Sequence, residues 1–206
     1  MEGRSYYRNK TVVVSAADTP LGRALCLRLA DLGATAVALG GDEAALIDIS
    51  RHDPARIQPL QWGEEPYHRL QLMGQMWGEE PLHLIVSVLA RLPDDPAEFR
   101  RMILFSRTLV RAMARGMKTG RGRAIVVYDD GGTGAKDVST GAENEFAMFS
   151  EDLQTAHSEV RIHALYARAN WTEQNLARAV DLLLMLGDPV ACASAPGHLS
   201  FAPLAD

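Results

Sequence analysis

The sequence predicts a single α/β domain, built as a doubly wound parallel sheet of about seven strands with helices on both faces. Short apolar and β-branched runs alternate with amphipathic helical segments along the whole chain. No internal repeat, low-complexity tract or linker interrupts this order, and 206 residues suit one domain with a sizeable core. We therefore predict one domain over residues 1–206.

The strands are predicted from short runs that are rich in valine, isoleucine and leucine. Thr11–Ser15 is continuously apolar after its first residue, which is typical of a strand buried on both faces of a parallel sheet. The other predicted strands are Thr35–Leu39, Arg56–Leu60, Leu82–Leu89, Arg123–Tyr128, Arg161–Ala167 and a short last one, His198–Ala202.

The helices are predicted between these strands from apolar residues at helical spacing. For the first helix, Thr19 is a candidate N-cap, Pro20 takes the first helical position and Gly33 follows the end. Further helices are predicted over Ala97–Met117, around Phe146–Leu153 and over Thr172–Leu186.

Composition excludes several classes of function. The net charge of −5 argues against a nucleic-acid surface, because no basic excess exists to neutralise phosphates. Cys26 and Cys192 lie in apolar stretches and predict small buried side chains, and no ligand spacing typical of a metal site occurs. No secretory signal or membrane-spanning run is found, so we expect a cytoplasmic protein without a membrane partner.

The turn after the first strand carries a family resemblance. Residues 15–22 and the helix after them resemble the Thr-Gly-x-x-x-Gly-x-Gly opening of the short-chain dehydrogenases/reductases. Ser15 stands for the threonine, and Ala16, Pro20 and Gly22 stand for the three glycines. The resemblance continues through the order of strands over nearly the whole chain. It implies a Rossmann-type fold, an NAD(P) cofactor beyond the carboxyl ends of the strands and an oxidoreductase activity.

The positions that would face a dinucleotide depart from the family pattern. By the resemblance they are Ser15, Ala16, Leu21, Gly22, Gly40 and Ser87. Pro20 removes a backbone N–H that could meet phosphate. Gly40 and Gly41 stand where the family carries a residue for the ribose, and Ser87-Val-Leu-Ala90 replaces Asn-Asn-Ala-Gly. We expect no cofactor, or NAD(P) if one binds.

The catalytic residues of the family are also replaced. After the fifth strand, the positions that match the catalytic tyrosine and lysine carry Ser139 and Glu143, and the catalytic serine gives way to Tyr128 or Asp129. The catalytic asparagine is missing, because no asparagine occurs between Asn9 and Asn144. Residues 168–171 alone separate the sixth strand from the last long helix, which leaves no room for a loop that covers substrate.

The two long helices predict a partner. In the family they form the dimer interface, and here they carry apolar residues in excess of what we expect a sheet to cover. These are Met102, Phe105, Met113, Met117 and Met148. We expect a homodimer through Ala97–Met117 and Phe146–Leu153, or a heteromer with an active homologue.

Three functions remain open at this point. The leading hypothesis is a non-catalytic relative of the short-chain dehydrogenases/reductases. The second is an atypical NAD(P)-dependent oxidoreductase that uses Tyr128 or another group as its acid. The third is a sensor that binds another small ligand in the vacated crevice, for which the polar residues at 128–130 are candidates.

Overall fold

The computed structural model describes residues 6–63, 66–77, 80–90, 96–129, 139–167 and 171–192. Within them, six parallel strands form one sheet in the order β3-β2-β1-β4-β5-β6. The strands are β1 (Thr11–Val14), β2 (Thr35–Gly40), β3 (Ile57–Gln61), β4 (Leu84–Ala90), β5 (Arg123–Asp129) and β6 (Arg161–Ala167). The helices are α1 (Pro20–Asp31), α2 (Glu43–Ser50), α3 (Pro66–Trp77), α4 (Pro96–Gly120), α5 (Ser139–Ala156), α6 (Glu173–Gly187) and α7 (Pro189–Cys192).

The predicted fold class is confirmed, with one correction to the number of strands. The described sheet has six strands rather than about seven, and the predicted seventh strand, His198–Ala202, lies outside the described residues. Arg161–Ala167 forms a strand with the predicted bounds, and the other five strands differ from prediction by one or two residues at an end. Helices α3 and α7 were not predicted from the sequence.

The continuous apolar runs form strands because the sheet is covered on both faces. Alternate residues of each strand enter opposite cores, as Val12 and Val13 of β1 do. One core joins the sheet to α1 and α6, and the other joins it to α3, α4 and α5. Every residue of β5, which lies between β4 and β6, is buried.

Helix α1 begins and ends at the predicted signals. The Thr19 hydroxyl accepts a hydrogen bond from the Gly22 N–H at 3.2 Å, and Pro20 takes the first helical position. Gly33 follows the helix with a positive φ of 84°, a conformation that glycine adopts without a steric penalty.

The order of strands locates the crevice of the fold. β1 lies between β2 and β4, so the chain leaves β1 towards one edge of the sheet and later returns to the other side of β1. At such a reversal, the carboxyl ends of the central strands border a crevice in which ligands bind. The candidate site is therefore built from the residues that follow β1, β2, β4 and β5.

No helix in the described part of the chain is long and apolar enough to cross a membrane.

Candidate functional site

Three serine hydroxyls line the base of the crevice in one buried chain. The Oγ atoms of Ser15 and Ser87 are 3.2 Å apart, and those of Ser87 and Ser106 are 2.6 Å apart. Ser15 Oγ also accepts from the Val88 N–H at 3.2 Å. The structure thus brings two predicted cofactor residues, Ser15 and Ser87, together, but their hydroxyls bond to each other and all three serines are buried.

Sequence reasoning missed Ser106, which lies on the buried side of α4. Its neighbours at helical spacing, Leu109, Val110 and Met113, are all buried. A serine within an apolar stripe was the available signal, because a buried hydroxyl requires a hydrogen-bond partner.

The turn from β1 to α1 keeps one of the three glycines of the family pattern, Gly22. Ala16 has a positive φ of 51°, where an L-residue is strained and glycine is not. Gly22 is held by packing, because a Cβ there would lie 2.2 Å from the carbonyl oxygen of Ala16. Gly22 therefore allows the start of α1 to pack closely against the turn. Leu21 is fully buried in the core below α1 and does not face the crevice.

A carboxylate from this turn reaches the end of β2. Asp18 Oδ2 accepts from the backbone N–H groups of Gly41 at 2.8 Å and Asp42 at 2.9 Å. Asp42 in turn caps α2 by accepting from the Ala45 N–H at 3.1 Å. Asp18 was not among the predicted site residues, because its partners lie more than 20 residues away in the chain.

The end of β5 is filled by aromatic rings. Tyr128 is almost fully buried, and its ring lies 5.2 Å from that of Phe99 and 5.7 Å from that of Phe146. Tyr166 of the neighbouring strand completes the group, with its ring 4.9 Å from that of Phe146. The predicted alternative acid, Tyr128, therefore lies in the core between α4, α5 and the sheet.

Asp129, the last residue of β5, is contacted from the opposite face of the sheet. The Trp171 indole N–H donates to Asp129 Oδ2 at 2.8 Å, and Asp129 is buried. The short connection between β6 and α6 makes this contact possible, since Trp171 directly precedes the α6 N-cap, Thr172. Trp171, just before α6, thus supplies an indole that packs at the end of β5.

The predicted catalytic replacements, Ser139 and Glu143, lie at the start of α5, one helical turn apart. Asp130, predicted as part of a polar loop, lies outside the described residues.

One Tyr-x-x-x-Lys spacing does occur in the chain, from Tyr6 to Lys10, and sequence reasoning overlooked it. It precedes β1 and so lies at the amino end of the sheet, opposite the crevice. The Lys10 Nζ lies 5.6 Å from the centre of the Tyr6 ring. Burial, followed by the nearby Asp188, raises the pKa of Tyr6, which is the opposite of what a catalytic tyrosine requires.

Other reactive side chains also lie away from the crevice. Cys192 Sγ is 3.7 Å from His163 Nε2, on the α6 face of β6. Burial, then Arg123 and Arg161, lowers the pKa of His163 to about 4, and burial raises the pKa of the Cys26 thiol to about 12. Within the described residues, no three His, Cys, Asp or Glu side chains form a group that could hold a metal ion.

An open pocket of ≈ 750 Å³ lies beside the end of β3 and the start of α3. Arg69 is fixed along its wall, because its Nη1 donates to the Gln61 carbonyl oxygen at 2.7 Å. Its lining residues are Gly41, Gln61, Trp62, Gly63, His68, Arg69 and Leu72.

Comparison with solved structures decides the fold. A short-chain dehydrogenase/reductase of the glucose/ribitol dehydrogenase type from Brucella melitensis superposes with a TM-score of 0.70 over 94% of each chain, at 14% identity. BdcA from E. coli superposes with a TM-score of 0.68 over 95% of this chain and 98% of its own, at 12% identity. This chain has the short-chain dehydrogenase/reductase fold.

A metagenomic short-chain oxidoreductase in complex with NADP shares the fold, with a TM-score of 0.65 at 18% identity over 87% of this chain and 92% of its own. No protein-family model and no curated protein matches the sequence. Identities this low are evidence for the fold alone.

In its described residues, the crevice lacks features with which this fold binds a dinucleotide. The fold meets pyrophosphate with free N–H groups at the start of the first helix. Here Pro20 has no N–H, and the Thr19 hydroxyl already accepts the Gly22 N–H. Asp18, a residue of the same turn, carries a charge of the same sign as a phosphate. Gly40, a predicted cofactor residue, is crowded instead by Asp18 and Leu46, each 3.0 Å from where its Cβ would lie.

Proposed function

We propose that this protein is a cytoplasmic, non-catalytic member of the short-chain dehydrogenase/reductase fold that acts by association, as a homodimer or as the silent subunit of an active homologue. The observation that carries the proposal is the filled end of β5. The aromatic rings around Tyr128 occupy one face there, and the contact between Trp171 and Asp129 occupies the other.

Hydride transfer to a carbonyl carbon requires a proton donor within hydrogen-bond reach of the carbonyl oxygen. Tyr128 does not meet this requirement, because its ring is packed among Phe99, Phe146 and Tyr166. The alternative oxidoreductase with Tyr128 as its acid would need this core to open. Assays of alcohol and carbonyl panels with NAD(H) and NADP(H) test this point. Turnover that Tyr128→Phe abolishes would contradict our proposal.

The exposed sides of α4 and α5 support the second half of the proposal, association with a second copy. Leu104 of α4 is 48% exposed and Met148 of α5 is 68% exposed. Ion pairs on either side join the two helices within the chain, Arg100 to Glu145 at 3.4 Å and Arg107 to Asp152 at 3.5 Å. The face therefore combines basic and acidic side chains with an apolar centre, and a two-fold axis could pair it with itself.

The sequence-based account of this face needs a correction. Met113 and Met117 are not surplus, because both are buried in the core against the sheet. Met102 and Phe105 also pack against that core and are only partly exposed. Of the five residues expected to be in excess, only Met148 is exposed.

Light scattering after size-exclusion chromatography tests the association. We expect a mass twice that of the 22.5 kDa chain. Leu104→Arg and Met148→Arg should each shift the protein towards the monomer, since a charge at an apolar centre is costly to bury. Met76→Arg is the matched control, because Met76 is 77% exposed on α3 and lies outside this face. The proposal would be contradicted if the unmodified protein is a monomer and also forms no heteromer with an active homologue.

A small-ligand sensor is the second candidate, and the open pocket beside Trp62 favours it. Arg69, His68 and the Trp62 indole offer a cationic and aromatic lining. A thermal-shift screen of small anionic and aromatic compounds separates this function from a pure scaffold, because only a ligand of the native state raises the melting temperature. A hit should lose its effect in Arg69→Gln if it binds in this pocket.

A further inference from the structure

The end of the sheet around β2 carries two side chains that stand where the nucleoside half of a dinucleotide would lie. In this kind of fold, the pyrophosphate meets the start of the first helix and the ribose meets the end of the second strand. The residues at that place are Asp18, from the turn after β1, and Trp62, which directly follows β3.

Asp18 is directed at the protein rather than at the crevice. Both N–H groups that follow β2, those of Gly41 and Asp42, donate to the same carboxylate oxygen of Asp18. In a nucleotide-binding member of the fold, an acid near this position accepts the ribose hydroxyls. Here the carboxylate satisfies backbone donors at the start of α2, where a negative charge is favourable.

Trp62 extends across the carboxyl edge of the sheet. Its backbone N–H donates to the Gly40 carbonyl oxygen at 3.1 Å, which fixes the residue beside β2. Its ring packs against the cores on both faces of the sheet and meets the Phe105 ring edge to face at 4.8 Å. The indole thus connects α4 to the end of β2.

The two glycines after β2 are explained by these contacts. A Cβ at Gly40 would lie 3.0 Å from Asp18 Cγ, and one at Gly41 would lie 3.0 Å from Trp62 Nε1. The absence of side chains at both positions therefore lets Asp18 and Trp62 approach the backbone. A side chain at Gly40 or Gly41 would force Asp18, Leu46 or Trp62 to shift by a few tenths of an ångström, so glycine at both positions suits this arrangement.

From this geometry we infer that Asp18 and Trp62 form a built-in plug that excludes the nucleoside half of a dinucleotide. The plug acts by volume, through the indole, and by charge, because the Asp18 carboxylate repels a phosphate at short range. The inference rests on the proposed function and deepens it. It assigns the exclusion of the nucleoside half to these two side chains, separately from the missing N–H of Pro20 where the pyrophosphate would lie.

Titration calorimetry with ADP-ribose tests the plug. The unmodified protein should show no binding up to about 1 mM, whereas the double variant Asp18→Asn with Trp62→Leu should bind with a Kd below about 0.1 mM, a gain of at least about tenfold. Each single variant should gain less. Asparagine keeps an oxygen for the Gly41 and Asp42 N–H groups, and leucine keeps an apolar contact with Phe105, so both substitutions favour a folded protein.

Two variants serve as controls. Asp48→Asn removes an exposed acid of α2 that pairs with Arg23, and Trp171→Leu removes the indole at the β5 side of the edge. Neither should create ADP-ribose binding. Circular dichroism confirms that each protein is folded before titration, and if the double variant does not fold, Trp62→Leu alone must show a measurable gain.

The outcomes separate this inference from the proposed function. A folded double variant that ignores ADP-ribose overturns the plug and leaves the proposed function intact. Equal gains in the control variants overturn the plug as well, as does binding of ADP-ribose to the unmodified protein. NAD(P)-dependent turnover by the unmodified protein overturns the proposed function itself.

Discussion

Replacing Gly22 with alanine tests why the chain keeps a glycine in a turn that no longer suits phosphate. A Cβ at this position would lie 2.2 Å from the Ala16 carbonyl oxygen and 2.7 Å from Ala17 Cα. Both atoms belong to the backbone, so no side-chain rotation can relieve the overlap. The turn is also held in place, because the Thr19 N–H and hydroxyl both donate to the Ala16 carbonyl oxygen, at 3.0 and 2.7 Å.

The size of the effect follows from these distances. Ordinary contact begins near 3.4 Å, so α1 and the turn must separate by more than an ångström. Overpacking of a fixed core costs about 1–3 kcal/mol, and a weakened Thr19 cap adds about 1 kcal/mol. We expect Gly22→Ala to lower the free energy of unfolding by about 3 kcal/mol. For a chain of this length, the melting temperature should fall by about 6–12 °C.

Gly33→Ala is the matched control. Gly33 has a positive φ, but a Cβ there would meet nothing closer than 3.5 Å, so its cost is conformational. We expect Gly33→Ala to lower the free energy of unfolding by about 1 kcal/mol, because the lower conformational entropy of the unfolded alanine chain offsets part of the cost of the positive φ. Urea unfolding followed by circular dichroism measures both variants without any ligand. If Gly22→Ala is no less stable than Gly33→Ala, the packing explanation for Gly22 is wrong.

Three further predictions concern stability. Burial, then Arg123 and Arg161, lowers the pKa of His163 to about 4, against its ordinary value of 6.5. Between these two pH values the unfolded state binds more protons than the folded state, so the free energy of unfolding falls as the pH drops from 6.5 towards 4. His163→Gln should flatten this fall when urea midpoints at about pH 7.5 and about pH 4.5 are compared, whereas the exposed-site control His68→Gln should not. Trp171→Phe removes the donor to the buried Asp129 and should cost about 1–3 kcal/mol in urea unfolding; an unchanged midpoint would contradict the contact. Tyr7→Phe removes the hydrogen bond from the buried hydroxyl to the Leu184 carbonyl oxygen and should cost about 1 kcal/mol in melting experiments, and a gain in stability would argue against that bond.

The fold was predictable because the signals that define it are local. Val12–Val14 and Ala124–Val127 are continuously apolar, which is typical of strands covered on both faces in a parallel sheet. Thr19 and Pro20 mark the start of α1 through side-chain and backbone chemistry within four residues. α3 was missed because its sequence, from Pro66 to Trp77, mixes polar and apolar residues, and only Leu70 and Met73 are buried.

The site was less predictable because its contacts join residues that are distant in the chain. From the sequence alone, Asp18 is an ordinary turn residue. Its contact with Gly41 follows from the pairing of β1 with β2, which brings the two residues together. From the sequence alone, Trp62 is expected only to pack in the core. Its position at the carboxyl edge of the sheet follows from the pairing of β3 with β2, which the sequence does not show. The motif comparison indicated which family residues this chain replaces, whereas the structure shows where the replacing side chains lie.

The account depends most directly on whether the unmodified protein binds a dinucleotide. Titration calorimetry with NADH and with NADPH measures this in one experiment. We expect no saturable heat from either nucleotide up to about 1 mM, because Pro20, Asp18 and Trp62 leave neither the donors nor the space. Saturable binding of NADH or NADPH in the micromolar range would contradict the account.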